Sequence, residues 1–488
     1  MIKDNMKSKY INETVNEDNV ILMKDSYKVG HWDMLPDETT RVYSYLESRN
    51  GANFPYVVFA GLQGLLLKYL VGIVVTQADI EEAEYLYEAH FGTREFSDRK
   101  MWQYIVDEWG GKLPLTIKAV AEGQPIPINN VLMSVVNNGN ELTKGLTNQF
   151  ESLLLHVWSA TTIATLSRTT KEIFKKYLDL SSDNHAGIDF MLHDFGYRGV
   201  SSNESAKTGG AAHLINFLGT DTMIAMQYAR KYYGAPLKGL AYSVPATEHS
   251  VMTALGKDGE VKIVRKLLEK HKKGILSVVA DSYDIYNFVE NIVGKIFKQD
   301  IVEREGVFVV RPDSVTPQHP TPEAEMVWIL TSLWNNFGGN VNSKEYMVLD
   351  SHVRVLWGDG IDQVGIDKIL RAVVDAGFSA ENVVFGMGGG LLQKVNRDTQ
   401  RFAFKCSAQL QDGKWVDIYK DPKDKSKQSK KGKLRLIKSA IDGHYYTAQQ
   451  QDGNVNDGLD DQLVTVFENG ELTRFYTFDE VRKNAELK

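Results

Sequence analysis

Arg311 and Asp313 have the residue types that bind phosphates and hydroxyl groups. They follow the apolar run VFVV and are separated by Pro312. A guanidinium binds phosphate through paired N–H donors, and a carboxylate accepts from a sugar hydroxyl or from a metal-bound water. The alternative is an exposed ion pair between the two, which would contribute about 0–1 kcal/mol. The apolar run favours a place at the rim of a sheet, where both side chains can meet a ligand.

Two glycine-rich segments follow other apolar runs. Residues 386–390 (GMGGG) come after NVVF, and residues 358–360 (GDG) come after VRVLW. Their backbone N–H groups can bind phosphate and Asp359 can accept from ribose hydroxyls, but both segments are also compatible with simple turns. Neither matches the P-loop pattern or the dinucleotide-binding fingerprint. ATP bound by a P-loop and a Rossmann domain are therefore not expected.

Asp281, Asp284 and His249 also lie where apolar runs end. Because a carboxylate often caps the helix that follows, we assign Asp284 to capping and Asp281 to function. His249, next to Glu248, is either an ordinary hydrogen-bonded histidine or a group for proton or phosphoryl transfer. No second histidine stands at the spacing of a zinc site, so zinc is not expected.

An aromatic cluster points to a flat ligand. Phe195, Tyr197 and Arg198 can stack on a heteroaromatic ring, although core packing remains open for Tyr197. Asp221 either caps the helix that begins near Thr222 or accepts a hydrogen bond from an amide-bearing ligand.

These clusters share one position relative to the predicted elements. Each follows a short apolar run, and helical patterns at 222–233, 260–272, 322–337 and 363–376 separate several of them. Parallel strands with functional groups beyond their carboxyl ends are typical of an α/β barrel, and an open doubly wound sheet is the alternative. The seven run endings are at residues 193–198, 219–221, 245–249, 281–284, 311–314, 358–360 and 386–390.

The flanking regions show a different pattern. We expect a helix from Thr76 to Gly92, an antiparallel β-unit at 113–137, a long helical region at about 147–179, and a hairpin at Asn469–Gly470. We expect the β-rich C-terminal region, which includes a lysine-rich stretch at 420–433, to complete a sheet begun near the N-terminus. The predicted organisation is a flexible arm at 1–20, a β-rich and helical portion at 21–180, an α/β barrel at 181–398 and a β-rich portion at 399–488.

Composition excludes several protein classes. The 488 residues are 43% hydrophobic with a net charge of −7, which is typical of a folded globular protein and gives no indication of nucleic-acid binding. The single cysteine, Cys406, fits a reducing compartment. The first twenty residues have no apolar signal segment, and Gln63, Lys68 and several glycines interrupt the most apolar stretch, at 56–75. We expect a cytoplasmic protein without membrane contacts.

The order of the motifs resembles one family. They closely resemble those of the nicotinamide phosphoribosyltransferases, which are type II phosphoribosyltransferases. The resemblance runs from about residue 20 to the C-terminus and includes DSYK at 25–28, HDFGYRGVSS at 193–202, GTDT at 219–222, SVPATEHS at 243–250, DSYDIYN at 281–287, RPDS at 311–314, GDGID at 358–362, GMGGGLLQK at 386–394 and FKCS at 404–407.

The resemblance implies a reaction and a fold. The family transfers the phosphoribosyl group from phosphoribosyl pyrophosphate to nicotinamide, with Mg²⁺, and forms nicotinamide mononucleotide and pyrophosphate in NAD salvage. The implied fold is an irregular α/β barrel with a second, mixed β-rich domain built from the N- and C-terminal segments. The implied assembly is a cytoplasmic homodimer with active sites shared between the subunits.

The resemblance also implies roles for individual residues. Phe195 would stack on the pyridine ring opposite Tyr27 of the partner subunit, Arg198 and Asp221 would hold the carboxamide, and His249 would be phosphorylated by ATP. Asp281 and Asp313 would hold the metal. The remaining implied substrate-binding or catalytic residues are Asp25, Arg49, Ser277, Arg311, Gly358, Asp359, Gly388, Gly389, Arg397, Lys405 and Lys420.

Three positions depart from the family pattern. Met387 stands where we expect a small residue such as serine, Val315 where we expect glycine, and Ala403 precedes FKCS without a hydroxyl.

Two alternative functions stay open: a nicotinate phosphoribosyltransferase and a catalytically silent, ligand-binding homodimer. Asp221 favours nicotinamide, because the carboxylate of nicotinate would meet a second negative charge, costing about 1–4 kcal/mol at 4 Å.

Overall fold

The computed structural model describes residues 16–93, 96, 98–421, 423, 428–450 and 460–487. The first fifteen residues of the predicted arm thus lie outside the described residues, as do parts of the lysine-rich stretch. Asn19 and Val20, at the end of that arm, are buried, and the Asn19 amide donates to the Glu82 carboxylate at 2.8 Å. The described residues fall into two compact units, one within Met1–Thr162 and Arg397–Asn484 and the other within Ile163–Asn396 and Ala485–Lys488. The predicted domain boundaries stay a prediction.

The strands are short in the middle of the chain and longer at both ends. In chain order they are β1 (Thr39–Ser48), β2 (Tyr56–Val58), β3 (Leu115–Ala119), β4 (Pro125–Pro127), β5 (Val131–Asn137), β6 (Leu192–Asp194), β7 (Gly219–Thr220), β8 (Leu276–Val279), β9 (Phe308–Arg311), β10 (Gly339–Val341), β11 (Met347–Leu349), β12 (Val353–Trp357), β13 (Val383–Met387), β14 (Phe402–Gln411), β15 (Lys414–Asp417), β16 (Leu434–Lys438), β17 (Tyr445–Gln449), β18 (Val464–Glu468) and β19 (Glu471–Leu472).

The helices alternate with strands in the second unit. They are α1 (His31–Met34), α2 (Leu62–Tyr69), α3 (Gln77–Phe91), α4 (Arg99–Trp109), α5 (Leu146–Gln149), α6 (Glu151–Leu155), α7 (Val157–Ser181), α8 (Asn203–His213), α9 (Met223–Tyr233), α10 (His249–Met252), α11 (Glu260–Lys270), a π-helix (Asn287–Ile296), α12 (Lys298–Val302), α13 (Pro322–Phe337), α14 (Gln363–Asp375), α15 (Gly389–Leu392) and α16 (Phe478–Ala485).

The second unit contains a curled parallel sheet. Within the described residues it has six strands in the order β7–β6–β13–β12–β9–β8. The segment after Leu240, predicted as a seventh strand, is not one: it forms isolated parallel bridges from Tyr242 to Gly219 and from Ala246 to Ser277. The segment lacks one ladder donor because Pro245 has no N–H, although the Pro245 carbonyl accepts from the N–H of Ser277 at 3.0 Å. It nevertheless links both edges, so the predicted irregular α/β barrel is confirmed and the open doubly wound alternative is not.

Two helices of this unit begin at side-chain caps. Thr321 accepts from the N–H of Ala324 at the start of α13, and Asp362 accepts from the N–H of Gly365 at the start of α14. The helical patterns predicted at 222–233, 260–272, 322–337 and 363–376 are confirmed as α9, α11, α13 and α14 within about two residues. By contrast, α9 and α11 begin without a side-chain cap.

The first unit is built on an antiparallel sheet from both ends of the chain. Within the described residues it has seven strands in the order β15–β14–β1–β5–β3–β18–β19, which confirms the predicted β-rich domain. The Asn469–Gly470 hairpin and the capped helix from Thr76 to Gly92 are also confirmed, the latter by a reciprocal bond between Thr76 and Asp79. The long helical region predicted at about 147–179 is confirmed, and it consists of α5, α6 and α7. In the parts of the chain that the structure describes, no helix has the length and apolarity to span a membrane.

The buried His213 links α7 to the end of β7. Its Nε2 lies 3.2 Å from the Gly219 carbonyl, which can only accept, so Nε2 carries the proton and Nδ1 accepts from Ser167 Oγ at 2.9 Å. Burial lowers the pKa of His213 to about 3. The histidine is therefore neutral in the folded protein at all but acidic pH.

His213 predicts a loss of stability in acid. The folded-state pKa lies below the ordinary value of 6.5, so between those values the unfolded chain binds more protons, and stability falls as pH falls. Above pH 6.5 this contribution is fully present. We expect His213→Gln to reduce the slope of unfolding free energy against pH by up to about 1.4 kcal/mol per unit between pH 6 and 4. Urea unfolding at several pH values measures it. The exposed His444→Gln is the control, and equal slopes for His213→Gln and wild type would contradict the prediction.

Candidate active site

The carboxyl ends of the barrel strands surround a pocket of about 660 Å³. Every wall comes from a segment that directly follows a strand, as expected for parallel strands whose carboxyl ends share one edge. Most of the barrel residues singled out in the sequence are thereby brought together. The residues that line the pocket are Phe195, Tyr197, Arg198, Asp221, Thr222, Arg311, Asp313, Gly358 and Gly388.

Arg311 gives the pocket an anion-binding side. It ends β9, and its Nη2 donates to the Thr247 carbonyl at 2.7 Å, which fixes the guanidinium. Its Nε is buried and has no hydrogen-bond partner. Burial lowers the pKa of Arg311, and the nearby carboxylates of Asp313, Asp221 and Asp281 oppose this shift. A buried donor without an acceptor costs free energy, so an oxygen of a bound anion would complete the site.

Carboxylates and a histidine lie beside this arginine. His249 Nε2 is 3.3 Å from Asp313 Oδ2 and 4.0 Å from Asp281 Oδ1, while its Nδ1 is 3.3 Å from Ser282 Oγ. Burial raises the pKa of Asp359, and the charges of Asp313 and Asp281 raise it further. The cluster thus concentrates negative charge that a cation or a set of hydroxyl donors would relieve.

The two carboxylates assigned to metal binding fit a magnesium ion that keeps most of its water. Asp281 Oδ1 is buried without a hydrogen-bond partner, and its other oxygen accepts from Ser314 Oγ. Over the residues that the structure describes, no group of three or more His, Cys, Asp or Glu side chains is arranged as a metal site. Mg²⁺ commonly takes one or two carboxylates and completes its shell with water and substrate phosphates, so Asp281 and Asp313 suit it.

Phe195 forms the aromatic wall of the pocket. Its N–H donates to the Met387 carbonyl at 3.0 Å, and its ring lies against Gly386 of β13. A Cβ at Gly386 would stand 1.9 Å from the ring, and one at Gly358 would stand 3.5 Å from it. Gly386 therefore leaves the space in which the ring lies, whereas a Cβ at Gly358 would make only ordinary van der Waals contact with the ring.

Gly386→Ala tests this placement. The added methyl group must displace the Phe195 ring, so we expect about a tenfold weaker affinity for a flat base that stacks on Phe195, since a stack contributes about 0.5–1.5 kcal/mol beyond buried area. Titration calorimetry with nicotinamide measures the affinity. Gly187→Ala, where nothing lies within 4 Å of the new Cβ, is the matched control. An unchanged affinity in Gly386→Ala would show that the ring position is not needed.

Asp221 faces the pocket and does not cap a helix. Its Oδ1 accepts from Ser243 Oγ at 2.6 Å, and α9 begins with Thr222 at its cap position without a side-chain bond. The capping alternative is thus not observed. Asp284 does accept from the N–H of Asn287 at 3.1 Å, so its predicted capping role is confirmed.

Comparisons with known proteins agree with this geometry. Residues 190–471 match the model of the nicotinate phosphoribosyltransferase (NAPRTase) family, and residues 19–117 match that of the nicotinamide phosphoribosyltransferase N-terminal domain. A nicotinamide phosphoribosyltransferase of Xanthomonas campestris pv. campestris is 44% identical, over 96% of this chain and 98% of the relative. That of Acinetobacter baylyi is 32% identical, over 94% and 95%.

The chain belongs to the nicotinamide phosphoribosyltransferase family. It is an enzyme of that family. Two solved structures share its fold at 15% identity: a nicotinate-nucleotide pyrophosphorylase from Pyrococcus furiosus, with a TM-score of 0.58 and 97% of both chains covered, and human nicotinic acid phosphoribosyltransferase, with a TM-score of 0.54 and coverage of 95% of this chain and 93% of that one.

Of the three departures from the nicotinamide phosphoribosyltransferase pattern, Met387 has a structural explanation. Met387 is fully buried at the end of β13, so its side chain fills the core and not the pocket. Val315 is 41% exposed, and Ala403 is buried in β14. Gly388 lines the pocket and Gly389 begins the short helix α15, so the glycine loop stays at the carboxyl end of its strand despite Met387.

Other residues implied by the family pattern lie away from the lining of this pocket. Ser277 is buried in β8, and its hydroxyl has no hydrogen-bond partner. Their roles in binding stay predictions, as do those of the residues in the other compact unit, which are Asp25, Tyr27, Arg49, Arg397, Lys405 and Lys420.

Some residues of the site were not identified in the sequence. Thr222 lines the pocket, and the Thr247 carbonyl orients Arg311. Thr222 was considered only as the start of a helix, and its place directly after Asp221 was the available signal. A backbone carbonyl such as that of Thr247 has no signal in residue type.

Proposed function

We propose that the enzyme transfers the 5-phosphoribosyl group from phosphoribosyl pyrophosphate to nicotinamide, forming nicotinamide mononucleotide and pyrophosphate in NAD salvage. One observation carries the proposal: a single pocket combines an aromatic wall and an amide acceptor with a partly buried arginine that lacks an acceptor for its buried Nε. The names of the relatives at 44% and 32% identity support the same reaction.

The base is held at one side of the pocket. Phe195 stacks on the pyridine ring, and Asp221 accepts a hydrogen bond from the carboxamide N–H while Arg198 donates to its oxygen. The ring nitrogen uses its own lone pair to form the bond to ribose C1. A general base is therefore not needed, and positioning of the ring supplies much of the rate.

The leaving group is stabilised at the other side. The bond from C1 to the pyrophosphate oxygen breaks and its electron pair stays on that oxygen, while positive character builds on the ribose. The Thr247 carbonyl orients Arg311, which donates to the phosphate oxygens as their charge develops. These hydrogen bonds are stronger in the transition state than in the ground state. Asp313 and Asp359 accept from the ribose hydroxyls.

Asp281 and Asp313 would hold Mg²⁺ together with the pyrophosphate. When bound, the ion neutralises phosphate charge. The unpartnered oxygen of Asp281 and the raised pKa of Asp359 support a cation at this cluster.

ATP is proposed as a stimulatory co-substrate that phosphorylates His249. The exposed imidazole lies between Asp313 and Ser282, beside the anion-binding side, where a phosphoryl group can be carried. With ATP we expect an acid-labile phosphate on the wild type and none on His249→Ala. The exposed His444→Ala is the control that keeps the label. Persistence of the label in His249→Ala would reject this assignment.

The proposed assembly is a homodimer in the cytoplasm. In a shared site, Tyr27 of the partner subunit would cover the second face of the pyridine ring. Light scattering tests the dimer, and a fully active monomer would contradict it.

The proposed reaction is tested by mass spectrometry of products. The purified enzyme is given phosphoribosyl pyrophosphate, Mg²⁺ and equal nicotinamide and nicotinate, with and without ATP. Nicotinamide mononucleotide as the main product supports the proposal. Nicotinate mononucleotide as the main product would assign the sister activity, and no product with either base would favour a ligand-binding protein without catalysis.

A further inference from the structure

Asp194 is a buried carboxylate directly behind the pocket. It is the last residue of β6, is fully buried, and does not line the pocket. Its Oδ1 accepts from the N–H of Gly196 at 2.7 Å, and its Oδ2 accepts from Thr220 Oγ1 at 3.3 Å. Its backbone carbonyl accepts from the N–H of Asp221 at 2.9 Å.

These bonds reach two different walls of the pocket. Gly196 lies in the turn that carries Phe195, Tyr197 and Arg198, which form the aromatic and cationic wall. Thr220 precedes Asp221, and its Oγ1 accepts from the N–H of Thr222 at 3.0 Å. One carboxylate therefore joins the turn that holds a ring to the turn that holds an amide acceptor.

The direction of each hydrogen bond is determined. An N–H group can only donate, so Asp194 accepts from Gly196 and Thr220 Oγ1 accepts from Thr222. The Thr220 hydroxyl must then use its single proton toward Asp194 Oδ2. An amide nitrogen in place of Oδ2 would leave that proton without an acceptor.

The surrounding helices prevent the carboxylate from moving. A Cβ at Gly210 of α8 would lie 2.7 Å from Ala225 Cβ of α9 and 3.3 Å from Asp194 Oδ2. The two helices thus pack closely over the carboxylate. Burial raises the pKa of Asp194, and the hydrogen bond from Gly196 opposes this effect.

We propose that Asp194, acting through Thr220, is a positioning residue that sets the distance between the Phe195 turn and Asp221, and thereby the affinity for an uncharged carboxamide base. The proposal deepens the proposed function and rests on it for the identity of the base. It assigns Asp194 no contact with either substrate.

The test removes the link without replacing a residue that lines the pocket. Thr220→Val keeps the shape but lacks the hydroxyl, and Thr220→Ser restores it. We expect Thr220→Val to raise KM for nicotinamide about tenfold, because the buried Asp194 Oδ2 loses its hydrogen-bond donor. KM for phosphoribosyl pyrophosphate should stay within about twofold of the wild-type value. Asp194→Asn should show the same split, and Thr220→Ser should be close to wild type. Thr208→Val, whose hydroxyl bonds only to carbonyls of its own helix, is the matched control.

The possible results distinguish a positioning role of Asp194 from a role in folding, and also from failure of the proposed function. Equal rises in both KM values, or a lowered Tm without a change in nicotinamide KM, would overturn the proposal. Calorimetric titration measures the affinity for nicotinamide directly, so it tests the link between Asp194 and Thr220 without turnover. If the wild type forms no product but binds nicotinamide about tenfold more tightly than Thr220→Val, the proposed function fails and the positioning role stands. Equal affinities overturn the positioning role.

Discussion

Arg311→Gln lowers kcat/KM for phosphoribosyl pyrophosphate by about a thousandfold, as the loss of a preorganised donor at developing charge predicts. Glutamine keeps part of the length and a donor but has no charge. Because Nη2 is already held by the Thr247 carbonyl, the guanidinium does not have to be ordered when substrate binds. Initial rates at subsaturating phosphoribosyl pyrophosphate and saturating nicotinamide measure the effect.

The size of this effect follows from the surroundings of the guanidinium. Arg311 is partly buried and its Nε has no protein acceptor, so its bond to a phosphate is charge-assisted and poorly shared with water. Loss of such a donor costs about 2.7–4 kcal/mol in the transition state, which is two to three powers of ten in rate.

Two other arginines of the same compact unit serve as controls. Arg304 is also buried, but donates to the carbonyls of His271 and Gly274, away from the pocket. Arg304→Gln should lower Tm while the folded fraction keeps its kcat/KM, and the exposed Arg371→Gln should change neither. A kcat/KM in Arg311→Gln within about tenfold of wild type would show that this side chain does not meet the leaving group.

The barrel could be predicted from the sequence because each local signal agreed with the others. Apolar runs such as VFVV end in polar residues, and following helices start at their own polar caps, such as Thr321 and Asp362, so strand, loop and helix each have a local signal. The segment at 240–244 has the same apolar pattern and still forms no strand. Tyr242 of this segment bridges to Gly219 at one edge of the sheet and Ala246, just beyond it, bridges to Ser277 at the other, and no pattern within the segment encodes that division.

From the sequence, only those site residues could be predicted whose side chains directly follow strands. The role of Asp194 depends on Thr220, 26 residues away, and that of Gly386 depends on the close approach of the Phe195 ring. Thr247 acts through its backbone carbonyl on Arg311, 64 residues later. Such functions arise from tertiary proximity, which neither residue type nor local spacing specifies.

We expect Asp221→Asn to lower the ratio of kcat/KM for nicotinamide to kcat/KM for nicotinate by about tenfold to a hundredfold. In the wild type the carboxylate of nicotinate would lie near that of Asp221, and two charges 4 Å apart cost about 1 kcal/mol in water and about 4 kcal/mol at an effective dielectric of 20. Asp221 is open to solvent on the pocket side, which places the expected cost between those limits. The ratio of kcat/KM for the two bases measures it.

Asp221→Glu separates charge from shape in the same measurement. It keeps the negative charge on a longer side chain, so we expect lower rates with both bases because the acceptor is misplaced, but continued discrimination against nicotinate. In Asp221→Asn the Ser243 hydroxyl still has an acceptor in the amide oxygen, so the pocket wall keeps its hydrogen bond while the repulsion disappears. An unchanged ratio in Asp221→Asn would mean that the preference arises elsewhere in the pocket. If Asp221→Glu lost the discrimination as fully as Asp221→Asn, the position of the carboxylate would matter as much as its charge.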